Sequence, residues 1–139
     1  MTNPKFQPQN ATDFSKVLRT RVNNYFKETG KSKNGNSSMF LKSAIMLSLF
    51  FIPLTILSAG LVSSVWMVFA LYVLTGIGMA GIGMGVMHDA IHGSYSKNRR
   101  VNQFMSYSMN LIGANARTWH IQHNVLHHTY TNIHGHDED

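Results

Sequence analysis

All eight histidines of this 139-residue chain fall in its last 52 residues, and six of them stand in two arrays. The first reads His88-Asp-Ala-Ile-His92 and the second His120-Ile-Gln-His123-Asn-Val-Leu-His127-His128. Neutral imidazole is a ligand for iron, zinc, copper and nickel. The chain has no Cys, which excludes disulfides and thiolate ligands. Any metal must therefore be held by His, carboxylate, amide or water. Four-residue spacing puts His88 with His92, and His123 with His127, on one helical face. His120 lies one turn before His123, and His128 sits about 100° around from His127. Adjacent rings can thus address two metals or two sides of one cluster. Five or six imidazoles exceed the three or four ligands of an ordinary zinc site and favour a two-metal centre. Spacing alone does not choose between di-iron and di-zinc. The competing reading of the same residues is a proton-relay or pH-sensing cluster.

Each array follows an apolar stretch. Between residues 43 and 96 there is no Lys or Arg, and Asp89 is the only acid. Residues 43–60 and 65–87 are each long enough to cross a hydrocarbon core of about 30 Å at about 1.5 Å per residue. Pro53 is placed to kink the first span. Residues 58–64 form a short uncharged connection. Lys42 and a basic N-terminal region precede the first span, and Lys97, Arg99 and Arg100 follow the second. The positive-inside rule then predicts a hairpin with both ends cytoplasmic. Two near-consecutive spans free of Lys and Arg argue against the alternative, a pair of buried core helices in a soluble protein. Traced backwards, the face of His88 meets Gly85, Gly81 and Gly78, a stripe of small residues on which another helix can dock closely. That stripe is expected to lead directly to the two imidazoles. Residues 104–114 are too short to cross a bilayer and are interrupted by Ser106, Ser108 and Asn110. They read as a re-entrant or interfacial helix, which leaves both arrays on the cytoplasmic side. His134 and His136 fall in a predicted loop and are not expected to be ligands.

The first 38 residues hold seven Lys or Arg against two acids, most of the net charge of +6. Such a balance can signal nucleic-acid binding. Beside an apolar block it points instead to anionic lipid head groups, and no nucleic-acid partner is expected. The N-terminus lacks the apolar core and cleavage site of a signal peptide. Residues 1–11 are expected to be disordered. Phe14, Val17, Leu18, Val22 and Tyr25 recur at helical spacing and predict an amphipathic helix over residues 13–29, with Gly30 as its stop. Its apolar face suits a membrane surface; the alternative is a soluble helix packed on the rest of the protein. Residues 31–38 read as a polar linker. The chain divides accordingly into a basic N-terminal region, residues 1–38, and a helical region, residues 39–139.

His88-Asp-Ala-Ile-His92 and His123-Asn-Val-Leu-His127-His128-Thr-Tyr-Thr-Asn resemble the first two histidine boxes of the membrane fatty acid desaturases. The likeness is greatest to the bacterial acyl-CoA or acyl-lipid type, similar to linoleoyl-CoA and other front-end desaturases. The hairpin before the first box, the gap between boxes and the Asp-Glu-Asp run after the second extend it over residues 14–139. The resemblance implies an all-α integral membrane fold, a helical hairpin with cytoplasmic helices that carry the two boxes. It implies a non-haem di-iron centre held by His88, His92, His123, His127 and His128, with no catalytic residue beyond these ligands and no other cofactor site. It also implies O2 as oxidant and removal of two hydrogens from a fatty acyl-CoA or acyl-lipid. No haem motif is present, so a separate ferredoxin or cytochrome b5-type protein is the implied electron donor. Likeness to bacterial members implies the inner membrane. His120 falls outside the matched box and is assigned no ligand role. Asp89 and Asn124 are expected to orient imidazoles through their free ring nitrogens. Family members carry a third histidine box beyond a second pair of spans, whereas this chain stops at Asp139. The expectation is therefore an N-terminal fragment that cannot complete a di-iron site alone. Two other readings stand beside it: a membrane protein that binds or passes Zn or Cu through a cytoplasmic His cluster, and an inactive desaturase remnant. The spans hold no ionisable residue before Asp89, which argues against an ion path.

Overall fold

The structure is a computed structural model that describes Pro4 and residues 13–137, with Asp13 described by its backbone alone. The disorder expected for residues 1–11 falls, but for Pro4, outside the described residues. Every regular element among the described residues is helical. The chain forms two compact units, Met1–Lys33 and Asn34–Asp139.

Among the described residues the first unit holds one helix, α1 (Asp13–Thr29), with the bounds that the apolar spacing predicts. It stops where Gly30 takes a φ of +63°, a left-handed conformation that costs glycine little. Thr29 donates back to the Tyr25 carbonyl at 2.6 Å.

The second unit is built on an antiparallel hairpin of α2 (Ser37–Ser58) and α3 (Val65–Ile91), both long and apolar enough to cross a membrane. Helix α2 starts ahead of the apolar run because Asn36 caps it, its side chain accepting from the Met39 amide at 3.1 Å. The spans expose large apolar side chains such as Phe51, Ile52, Phe69 and Tyr72 along their length. Such surface is unfavourable in water and suited to lipid. The glycine stripe packs as expected. A methyl group on Gly78 would lie 2.5 Å from the Phe50 amide nitrogen and 2.7 Å from the Leu49 carbonyl carbon. One on Gly81 would overlap the Met46 side chain, and one on Gly85 would lie 3.0 Å from Lys42 Nζ. Helix α2 therefore lies directly on the stripe.

The ends of the hairpin are tied together. The Gly35 amide donates to the Ser94 carbonyl at 3.0 Å, and Phe40 meets Tyr95 edge to face at 5.3 Å. The segment before the first span thus touches the segment after the second, so both lie at the same end of the hairpin.

Three short helical pieces come next: α4 (Arg99–Ser106), α5 (Ser108–Leu111) and α6 (residues 116–130). They occupy the region read as one re-entrant or interfacial helix and beyond. Asn98 and Asn115 cap α4 and α6 through their side-chain oxygens. The buried Asn102 amide accepts from the Ser96 amide and donates to the Gly93 and Ser96 carbonyls, fixing the turn after α3. The two buried apolar clusters sit at this end, while Phe50, Pro53 and Thr75 are buried along the spans. Val86, Ala90 and Tyr95 pack with Met39 and Met105. Met87, Met109 and Ala116 pack with Ile91 and Trp119. Neighbouring residues on one helix, Val86 and Met87, thereby fasten α3 to two different sets of partners.

Candidate metal centre

Both histidine arrays lie on or beside π-helical turns, a rare geometry that concentrates at functional sites. The first turn, Ile82–Met87, interrupts α3 immediately before His88. The second, His120–His127, forms the middle of α6. Each inserts extra backbone into the α-helical ladder and rotates the residues after it. The expectation that the glycine stripe leads directly to the imidazoles needs correction for this reason. The stripe faces α2, whereas His88 and His92 face α6. In α6 the wide turn has a second effect. The His128 amide donates to the His123 carbonyl five residues back. A turn of this ladder takes between four and five residues, so His127 and His128 both fall one turn from His123, on either side of it. On an α-helix only His127 would share that face.

The result is a contiguous set of five rings. His88 and His92 are 4.5 Å apart between centroids, and each is 5.2 Å from His123. His128 lies 4.9 Å from His123 and 5.0 Å from His92. His127 stacks on His123 at 5.1 Å with planes 10° apart. One donor nitrogen from each of His88, His92 and His123 can be chosen so that all three lie within 4.8 Å of one another. Ligand nitrogens around one tetrahedral ion are about 3.4 Å apart, so side-chain rotation of little more than an ångström closes the trio. An all-imidazole donor set fits iron or zinc alike.

Hydrogen bonds aim parts of this cluster. His127 Nδ1 lies 3.0 Å from one oxygen of Asp137 and 3.2 Å from the other. An ionised Asp137 holds the proton on Nδ1 and leaves Nε2 as the donor to a metal. Asp137 is itself fixed by the Asn132 amide at 2.7 Å, where Asn132 turns the chain with a φ of +61°. In the sequence Asp137 stands out only as part of an acidic run. Its pairing depends on a loop that brings it back ten residues, which helical spacing does not reveal. Asp89 stands 3.6 Å from His88 Nδ1, within ion-pair reach and beyond a good hydrogen bond. Asn124 does not reach an imidazole. Its amide donates to the Ile91 carbonyl at 3.1 Å and straps α6 to the end of α3. Trp119 covers one side of the cluster, 4.0 Å from His123 and 5.8 Å from His88.

His88 and His123 are half-buried and His92 is more open. His92 is held below the ordinary imidazole pKa, first by partial desolvation and then by His88, His123 and His128; Asp89 opposes the shift. The neutral, ligand-competent form is favoured. His120 points elsewhere and lines a groove of about 790 Å³ beside His92. Lys97, Arg99 and Arg117 share its wall, and among the described residues no carboxylate does. His134 and His136 lie in turns, as expected, with His136 against Tyr130 at 5.2 Å.

A family profile described as fatty acid desaturase matches residues 64–139. The chain is 39% identical over 124 residues to the sn-1 linoleoyl-lipid 6-desaturase of Arthrospira platensis, covering 89% of this chain and 33% of that protein. The enzyme of the same description from Synechocystis sp. is 38% identical over 125 residues, covering 89% and 34%. The acyl-lipid (8-3)-desaturase of Physcomitrium patens is 36% identical over 131 residues, covering 91% and 26%. The chain thus spans about a third of the length of the first two of these relatives. No solved structure matches it significantly.

Proposed function

The chain belongs to the fatty acid desaturase family, and from that premise we propose that it carries two of the ligand segments of an oxygen-dependent acyl desaturase. The reaction removes one hydrogen from each of two neighbouring methylenes. O2 takes up those two hydrogens, two external electrons and two protons, and leaves as two waters. Unactivated C–H bonds are beyond ordinary acids and bases, and a bound pair of irons supplies the redox chemistry. His88, His92, His123, His127 and His128 are the proposed ligands. The convergence of rings from α3 and α6 carries this reading.

The remaining roles belong to the protein's own groups. Asp137 keeps His127 in one tautomer, and Asn124 sets the distance between α3 and α6. Trp119 excludes water from one flank. The groove beside His92 is the proposed seat for the polar end of an acyl-CoA or acyl-lipid, since its three cations suit an anionic head. A separate ferredoxin or cytochrome b5-type protein is the proposed electron donor. Membrane association follows from the two spans and the relatives. The positive-inside distribution supports cytoplasmic termini, and the likeness to the Arthrospira and Synechocystis enzymes supports a bacterial inner membrane.

Grafting residues 13–137 in place of the matching third of the Arthrospira relative tests the reading. The chimera is expected to desaturate cellular fatty acids by gas chromatography, and a His123→Ala version is expected not to. Loss of activity in the chimera despite normal membrane insertion and iron content contradicts the assignment. Zinc or copper as the only bound metal favours a metal-handling role instead.

A further inference from the structure

We propose that α1 is a lipid sensor that docks on the bilayer only where the leaflet carries anionic head groups. The stripe Phe14, Leu18, Val22 and Tyr25 is 75%, 49%, 44% and 49% exposed. At about 100° per residue, these four side chains fall within one narrow arc. Arg21 borders that arc on one side and Arg19 on the other, placed to reach phosphates while the stripe enters the head-group boundary. Asn23, Lys16 and Lys27 lie on the opposite face. Beyond Gly30 the chain folds back over the helix end. Lys31 donates to the Tyr25 hydroxyl at 3.0 Å, and Lys33 lies 5.8 Å from the Phe26 ring. That leaves Phe14, Leu18 and Val22 open and adds two positive charges near the last turn.

Charge selects the occupant. Residues 13–33 hold six Lys or Arg and two acids, a net +4. A second copy would meet like charge across the stripe. An anionic lipid surface meets both requirements at once, apolar depth and opposite charge. Only residues 30–36 separate α1 from α2, so a bilayer that holds α2 is always within reach. The inference rests on the reading of α2 and α3 as membrane spans.

The full chain has no Cys, so single labels are clean. Leu18→Cys, Asn23→Cys and Val73→Cys, each carrying a nitroxide, are reconstituted into phosphatidylcholine vesicles with or without a third of phosphatidylglycerol. Collisions with O2 and with a water-soluble nickel chelate report depth. In anionic vesicles the Leu18 probe is expected to be open to O2 and closed to nickel, while the Asn23 probe remains open to nickel. In neutral vesicles, or at high salt, the Leu18 probe is expected to return to water. Replacing Arg19 or Arg21 by Gln is expected to lower the docked-to-free ratio roughly fivefold each. A Leu18 probe in water in anionic vesicles overturns the proposal, and so does one shielded from both reagents, which would mean protein contact. Equal depth in both lipids removes the sensing role. The Val73 probe, on α3, separates the premises: lipid-buried Val73 with aqueous Leu18 sinks the α1 proposal alone, and water at both sinks the span reading as well.

Discussion

Replacing Gly78 with Ala tests how the hairpin is held. The new methyl group would stand 2.5 Å from the Phe50 nitrogen, 2.7 Å from the Leu49 carbonyl carbon and 2.9 Å from the Met46 carbonyl oxygen. All three are backbone atoms of α2 and cannot rotate away. Ordinary contact starts at 3.4 Å, so α2 must retreat by about 0.9 Å. A gap of that size forfeits roughly a quarter to a half of each dispersion contact along the seam. Overpacking of this kind costs about 1–3 kcal/mol. Ala returns about 1 kcal/mol through helix propensity, leaving an expected net loss of up to about 2 kcal/mol. Gly76 is the control. Nothing lies within 4 Å of its added methyl, so Gly76→Ala should keep the propensity gain of about 0.5–1 kcal/mol. The two variants, two residues apart, should move in opposite directions. Thermal unfolding in mild detergent, followed by circular dichroism, should separate their midpoints by on the order of 5–10 °C. Gly81→Ala should fall between them, because the Met46 side chain it meets can move. Equal midpoints for Gly76→Ala and Gly78→Ala would show that the close approach is not what holds the helices.

Asp137→Asn should lower metal affinity about 10–100-fold by releasing the His127 tautomer, with helicity unchanged; unchanged affinity by competition with a chelator would remove Asp137 from the site. Asn124→Ala leaves the Ile91 carbonyl without its donor and should cost about 1 kcal/mol of stability, together with a loss of bound metal. Retention of both would mean that the strap is incidental. His120→Ala and His134→Ala should each keep the metal content of the parent protein, measured by mass spectrometry of the purified chain; metal loss from either would redraw the ligand set. In the metal-free protein, proton NMR of His92 should give a midpoint below that of an ordinary imidazole. Its neutral form is the favoured one, so protons enter only at lower pH, and a midpoint at or above the ordinary value would contradict the packing drawn around it.

Much of this architecture is legible in the residues. The long gap in Lys and Arg marks two spans, and small residues at Gly78, Gly81 and Gly85 mark the docking face. Phe14 to Tyr25 at helical spacing mark α1. What the sequence does not reveal is the path of the backbone around the histidines. Helical arithmetic assumes a constant turn, and both arrays sit where the turn widens. The twist at Ile82–Met87 separates the glycine face from the imidazole face, and the one in α6 places His128 beside His123 as well as His127. The roles of Asp137 and Asn124 are hidden for a related reason: their partners lie across a loop or on another helix. Residues 104–114 read as one interrupted helix because the break between α4 and α5 falls at Tyr107, which no side chain caps, and the caps that start α4 and α6, Asn98 and Asn115, lie outside that stretch.

In the proposed arrangement α3 and α6 build one shared metal site. Tightly bound metal per chain, measured in the parent protein and in His88→Ala and His123→Ala singly, tests it most directly. A shared site predicts that either substitution alone removes nearly all of the tightly bound metal. If each variant instead keeps about half, the two arrays bind independently, and the convergence on which the proposed chemistry depends does not exist.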